Sequence, residues 1–281
     1  EPPLHPPGLE KIVKDFGMYP EDFKRAEFDE FCKSLLVENK DVVTYGIFAP
    51  WVIHKSELLE IGMHDEFFHS YQEDSDIFNR LILNGVKCVQ SRDSFVYHLT
   101  CRGGQFQDGI EKITNDENFH RMKNSAAKNY IRKWGSWVKN DEYQHPIIYP
   151  KYNIGFVINN CTEQHLKFFE CWASNIYCDL QNDAVEKYIT SEDTNTQFNL
   201  KDRIKSKSVH KENDIILEFD ANKLTEYSMN IIQELPLIIK ENDTIGKFEL
   251  DIFTITIKKL EEHQTKLINK NSVHYTSTLK K

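Results

Sequence analysis

The stretch Tyr71-Gln72-Glu73-Asp74-Ser75-Asp76-Ile77-Phe78-Asn79-Arg80, closed by Leu83-Asn84-Gly85, constrains this chain more than any other. Acidic residues open it, apolar residues recur at helical spacing and a glycine ends it, which together specify one amphipathic helix. Val96-Tyr97-His98 then reads as a short strand that delivers a histidine.

Residues two apart on a helix are separated by about 200° of rotation, so Asp74 and Asp76 cannot serve one site together. If Ile77, Phe78, Leu81 and Ile82 form the inward stripe, Asp74, four before Phe78, points inward, and Asp76, four before Arg80, forms a surface ion pair. A carboxylate at a helix N-terminus is favoured by the unpaired N–H groups and the helix dipole. Asp74 could there accept the proton of an attacking hydroxyl. Acids also simply cap helices, and that alternative stands beside the first. His98 is a candidate ligand for a divalent cation, or a hydrogen-bonded structural imidazole. Arg102 beside Gly103-Gly104 could hold a diphosphate by charge-assisted hydrogen bonds, although two glycines are too few for a phosphate loop.

The chain has 281 residues, 40% of them hydrophobic, enough for about two packed domains. A net charge of −9 lacks the footprint of a nucleic-acid binder. The six cysteines show no C-x-x-C pair or zinc spacing, so they read as reduced thiols of a cytosolic-type protein. Cys171 and Cys178, placed on one helix, would be about 10 Å apart and beyond disulfide reach. No apolar run approaches the ~18 residues of a membrane span. His54, His64 and His69 match no helical metal-ligand pair.

Pro2, Pro3, Pro6 and Pro7 make the start an extended arm. A helix is predicted over 20–36, a strand-like segment over 42–52, a helix from Ser56 to a stop at Gly62, and a polar helix within 106–142 anchored by Trp134 and Trp137. Proline-rich 141–150 marks a boundary. Beyond it come a strand at 153–160, a helix from Thr162 with Leu166, Phe169, Trp172 and Ile176 on one face, and a strand at 214–220. A helix at 226–240, interrupted near Pro236, and a long alternating strand at 247–257 follow. The pattern predicts a small α+β accessory domain over 152–271, ferredoxin-like, independently folded, without a catalytic constellation and followed by a tail at 272–281.

Residues 1–105 carry a resemblance to a known family. Gly46 to Lys55 followed by Leu58-Leu59-Glu60-Ile61-Gly62-Met63-His64-Asp65-Glu66-Phe67-Phe68, then Glu73-Asp74-Ser75-Asp76 with Arg80 and Gly85, then Val96-Tyr97-His98, resemble in order and spacing the acceptor half of inverting GT-A glycosyltransferases of family two. Glu1-Pro2-Pro3-Leu4-His5-Pro6-Pro7-Gly8 is similar to a segment of virus- and phage-associated members. The resemblance implies an α/β acceptor half over 1–147 and transfer of a sugar from a nucleotide-sugar donor to a glycan, lipid or protein hydroxyl in the cytoplasm of a bacterial or virus-infected cell. It further implies Asp74 as base, Glu73 and Trp51 as acceptor-binding residues, Arg102 at the diphosphate and His98 on a Mn or Mg ion. Glu73 could equally cap the helix, and Trp51 could equally fill the core. The family's nucleotide half and its Asp-x-Asp motif are not found ahead of the acidic helix. The chain is therefore expected to begin inside a catalytic domain, the alternative being a non-catalytic binding or assembly protein that retains a glycosyltransferase remnant.

Overall fold

The computed structural model describes residues 1–4, 6–9, 11–47, 49–68, 71–99 and 116–281. Its α-helices are α1 (Arg25–Asn39), α2 (Lys55–Glu60), α3 (Glu73–Leu83), α4 (Glu117–Trp134), α5 (Glu163–Phe169), α6 (Asn182–Glu192), α7 (Leu200–Arg203), α8 (Glu226–Asn242) and α9 (Val273–Thr276). The strands are β1 (Val43–Tyr45), β2 (Val89–Ser91), β3 (Ile154–Asn159), β4 (Asn175–Cys178), β5 (Ile204–Ser206), β6 (Ile215–Asp220), β7 (Gly246–Leu250) and β8 (Phe253–Ile257).

Contacts divide the chain into two compact units that are discontinuous in sequence. One comprises Glu1–Glu57, Gly85–Arg121 and Lys139–Ile147; the other comprises Leu58–Asn84, Met122–Val138 and Ile148–Lys281. The acidic helix α3 thus packs with the C-terminal region. Residues 272–281, expected as a tail, contain α9 and bury Tyr275, which is 3% exposed.

In the first unit, β1 and β2 form a two-stranded antiparallel ladder. The strand expected over 42–52 ends at Tyr45 because the Ile47 amide bonds to the Tyr143 carbonyl (3.2 Å). Gly46 has no alternative there, since a Cβ would sit 2.4 Å from that carbonyl oxygen. Phe16, Phe23, Phe28, Phe31 and Tyr97 form an aromatic cluster, in which the Tyr97 hydroxyl donates to the Gly17 carbonyl (2.7 Å). α1 itself has no fully buried residue.

The second unit is built on a six-stranded sheet in the order β5-β4-β3-β6-β8-β7. β3, β4, β5 and β6 are parallel, whereas β8 runs antiparallel to β6 and β7 to β8. This overturns the ferredoxin-like, α+β expectation: the core is a parallel α/β sheet with an antiparallel edge pair. The first five residues of β3 are all buried, as a central parallel strand covered on both faces requires. Phe156, Phe169, Phe219 and Phe253 stack edge-to-face at centroid distances of 5.3 to 6.4 Å, joining α5 to β3, β6 and β8.

The crossing from β5 to β6 uses residues 207–214 and no helix. Asn213, 2% exposed, lies against β3 where Gly155 leaves room; a Cβ on Gly155 would meet Asn213 Oδ1 at 2.4 Å. Its side chain bonds Tyr177, Asn153 and Asn175 at 2.7, 2.6 and 2.9 Å, tying the crossing to the strands it passes.

Three further expectations change. The predicted 247–257 strand is a hairpin that turns at Asp251, whose φ is +53°. The 226–240 helix is not interrupted: α8 runs through the buried Pro236 to Asn242. The helix from Thr162 stops at Phe169, and Ile176 and Cys178 belong to β4, so Cys171 and Cys178 do not share a helix.

Candidate functional site

The chain enters α3 through two consecutive left-handed residues, Tyr71 (φ +71°) and Gln72 (φ +69°). Such backbone costs of order 1–3 kcal/mol per residue and clusters where function overrides local preference. The helix then presents its acids in the reverse of the expected order.

Asp76, not Asp74, faces the interior. Asp76 is fully buried and pairs with Arg80 (Oδ2 to Nη2 and Nε, each 2.9 Å), Lys133 (Oδ1 to Nζ, 2.6 Å) and the Trp134 indole N–H (2.9 Å). Arg80 Nη1 also donates to the Ile61 carbonyl (2.5 Å), and Lys133 bridges to Asp65 (2.8 Å), which accepts from the Tyr275 hydroxyl (2.9 Å). Burial alone would raise the Asp65 carboxyl, but Lys133 holds it below the ordinary range. The inward stripe is Asp76, Ile77, Asn79, Arg80 and Leu81, with Phe78 only half-buried. An apolar stripe is the wrong guide because two of the carboxylate's partners, Lys133 and Trp134, lie on α4, more than fifty residues downstream.

Asp74 is exposed on the first turn, its Oδ1 accepting from the Ser75 amide at 2.7 Å. Glu73 is half-buried, and its Oε2 is buried without a hydrogen-bond partner. These two belong to the second unit. Trp51 and His98 belong to the first. Trp51 is 36% exposed, and the exposed His98 places Nδ1 3.5 Å from Glu1 Oε2. Arg102 and Gly103-Gly104 lie outside the described residues.

A second polar constellation, missed in the sequence, stands at the carboxyl ends of the parallel strands. The chain steps outward from β3 to β4 to β5 and then returns to place β6 on the other side of β3, so the direction of winding reverses between β3 and β6. Open α/β sheets bind ligands at such switch points. Here Asn160 Nδ2 donates to Asp220 Oδ1 (2.8 Å), which also accepts from the Asn222 amide (3.0 Å). These bonds hold the Asp220 carboxyl below its ordinary value. Lys207 bonds Asn159 and, at 2.9 Å, Asp179. Cys178 ends β4 beside Cys161, whose thiol holds that of Cys178 down to about 7. Individually these are ordinary strand-end and loop residues, and the strand order assembles them.

Among the described residues, Asp214, Glu261 and His263 bring potential metal-ligand atoms within 4.8 Å of one another. Glu261 is spent on Lys259 and Lys266, so the group is already neutralised. No described helix is long and apolar enough to cross a membrane. Compared with known proteins, the chain matches no family profile, and no curated protein or solved structure is significantly similar to it.

Proposed function

We propose that this chain is a glycosyltransferase that moves a sugar from a nucleotide-sugar donor to a hydroxyl acceptor with inversion. The observation that carries this reading is the switch point between β3 and β6, where Asp220-Ala221-Asn222 follows a parallel strand in the position at which such sheets hold nucleotides. In this reading the switch point is where a nucleotide-sugar donor would bind.

In the reaction, the acceptor oxygen attacks the anomeric carbon from the face opposite the leaving group. As that bond forms, the bond to the diphosphate oxygen breaks, the hydroxyl proton passes to Asp74 and a nucleoside diphosphate departs. The exposed Asp74 is open to such an acceptor, while the Asp76 network fixes the helix beneath it. Glu73, beside Asp74 in the second unit, would hold the acceptor hydroxyl. An imidazole nitrogen can ligate Mn or Mg, so His98 would hold the cation. When bound, the cation would neutralise charge on the leaving diphosphate.

The test pairs calorimetry with turnover. Asp220→Ala should weaken binding of a nucleoside diphosphate at least tenfold, while Asp74→Asn should leave it intact and lower transfer by ~10²–10⁴. Absence of both nucleotide binding and nucleotide-sugar turnover would sink the proposal. One observation favours a non-catalytic assembly protein instead: the polar groups of the switch point already satisfy one another, as Asn160 does Asp220 and Lys207 does Asp179. Nucleotide binding without turnover on any acceptor would select it.

A further inference from the structure

A cavity of about 350 Å³ opens at the opposite, amino-terminal edge of the parallel strands, within the second unit. Lys151, Asn153, Asn175, Arg203, His263 and His274 are among its lining residues. Most of its charges are balanced within the wall. Arg132 and Arg203 share Glu170, Arg132 also reaches Glu192, and Lys133 is held by Asp65 and Asp76. Among the described residues Lys151 has no carboxylate within ion-pair distance, and its ammonium donates to the Arg132 carbonyl alone (3.0 Å). An ammonium carries three donors.

The surroundings sharpen the imbalance. Arg203 spends Nε on Glu170 and Nη2 on the carbonyls of Glu170 and Ala173, leaving Nη1 without a hydrogen bond among the described residues. The His263 and His274 rings stack at 5.1 Å and 2°. Burial, then Arg203, pushes the Lys151 ammonium down to about 7. Burial and the positive charges of His263, Lys266 and Lys151 likewise push His274 down. Among the acids, Asp202 on the wall accepts from Asn199 (2.6 Å), Glu170 is saturated by Arg132, Arg203 and Tyr188, and Asp214 and Glu261 lie 3.6 and 3.9 Å from the His263 ring nitrogens. An amine and an imidazole that can regain protons, beside a guanidinium and around a volume of ligand size, suit an anion.

We propose that this cavity binds a tetrahedral oxyanion, the phosphoryl group of a small metabolite or free phosphate, with Lys151 as the principal ligand and Arg203 and His274 beside it. Several oxygens directed outward from one centre match donors contributed to one cavity by the segments before β3 and β5 and by α9, which a planar carboxylate would satisfy less completely. The volume leaves room for a small organic group beyond the phosphoryl oxygens. This site is independent of the proposed transfer reaction.

Calorimetry at constant ionic strength in chloride tests it, with inorganic phosphate, glycerol 3-phosphate and malonate as probes. Phosphate or its ester should bind the wild type, and Lys151→Met should weaken that binding at least tenfold. Tighter binding of the ester identifies a metabolite, and equal binding identifies the free ion. Binding no stronger than that of chloride, no effect of Lys151→Met, or malonate binding as tightly as phosphate would each overturn the proposal. A measurement on the unaltered protein guards against a misfolded variant. Sulfate has no titrating proton of its own, so its binding at pH 8 should draw up to one proton from buffer as Lys151 recharges. No proton uptake would refute the role of Lys151.

Discussion

Asp76 and Arg80 form an ion pair of 2.9 Å in which neither side chain has any exposed surface. Four residues apart on α3, they would be a minor surface feature if the helix faced the other way. Inside, each is an obligation that the other discharges.

Removing one partner therefore leaves an uncompensated buried charge. Asp76→Ala should destabilise the protein by about 3–5 kcal/mol. Asp74→Ala, at an exposed position, should stay within about 0.5 kcal/mol. Urea unfolding of both variants checks the contrast, and equal effects would contradict the described face of α3.

Glu170 predicts an acid transition. Burial alone would raise its carboxyl, but Arg132 and Arg203 hold it down to about 2 against an ordinary 4.5. Its folded value is depressed, so its stabilisation is complete above about 4.5 and is lost as pH falls toward 2. Between those values the slope of stability against pH should be shallower in Glu170→Gln than in the wild type, in denaturant titrations at each pH.

Lys151 predicts a slope of the same sign in alkali. Its folded value is lowered to about 7 from 10.5, so the unfolded chain binds the extra proton between these values and stability rises with pH across that window. Lys151→Met should be more stable than the wild type near pH 7, and the advantage should shrink as pH approaches 10.5. A constant difference would show that the ammonium is not desolvated.

The discontinuous second unit predicts that a chain starting at residue 153 will not fold as the whole does. It would retain Glu170 and Glu192 but lose Arg132, and retain Tyr275 but lose Asp65 and Trp134. Such a fragment should unfold at lower urea than 58–281, or lose cooperativity. Matching midpoints would show that α3 and α4 contribute little.

Local signals were legible where chemistry is local. Thr162 caps α5 as its position before an apolar periodic run predicts, and Gly62 follows α2 with the positive φ of +80° that favours glycine. Legibility failed where the deciding partner is distant. The facing of Asp76 depends on Lys133 and Trp134, the parallel order of β3 to β6 leaves no mark on the composition of any one strand, and the Asp251 turn uses a left-handed aspartate instead of a glycine. Of the expected site residues, Asp74 and Glu73 lie at the predicted helix start, while the Asp220 constellation required knowing which strand lies beside which.

Arg132, Lys133 and Trp134 are consecutive on α4, and successive side chains leave a helix about 100° apart. Arg132 ends in Glu170 and Glu192, Lys133 in Asp65 and Asp76, and Trp134 donates to Asp76. One turn is thereby bolted in more than one direction, so rotating the helix about its axis would break the Glu170 and Asp76 networks at once. The amides of this turn should be among the last in the second unit to exchange with deuterium, and they should open in the same step as those of α3.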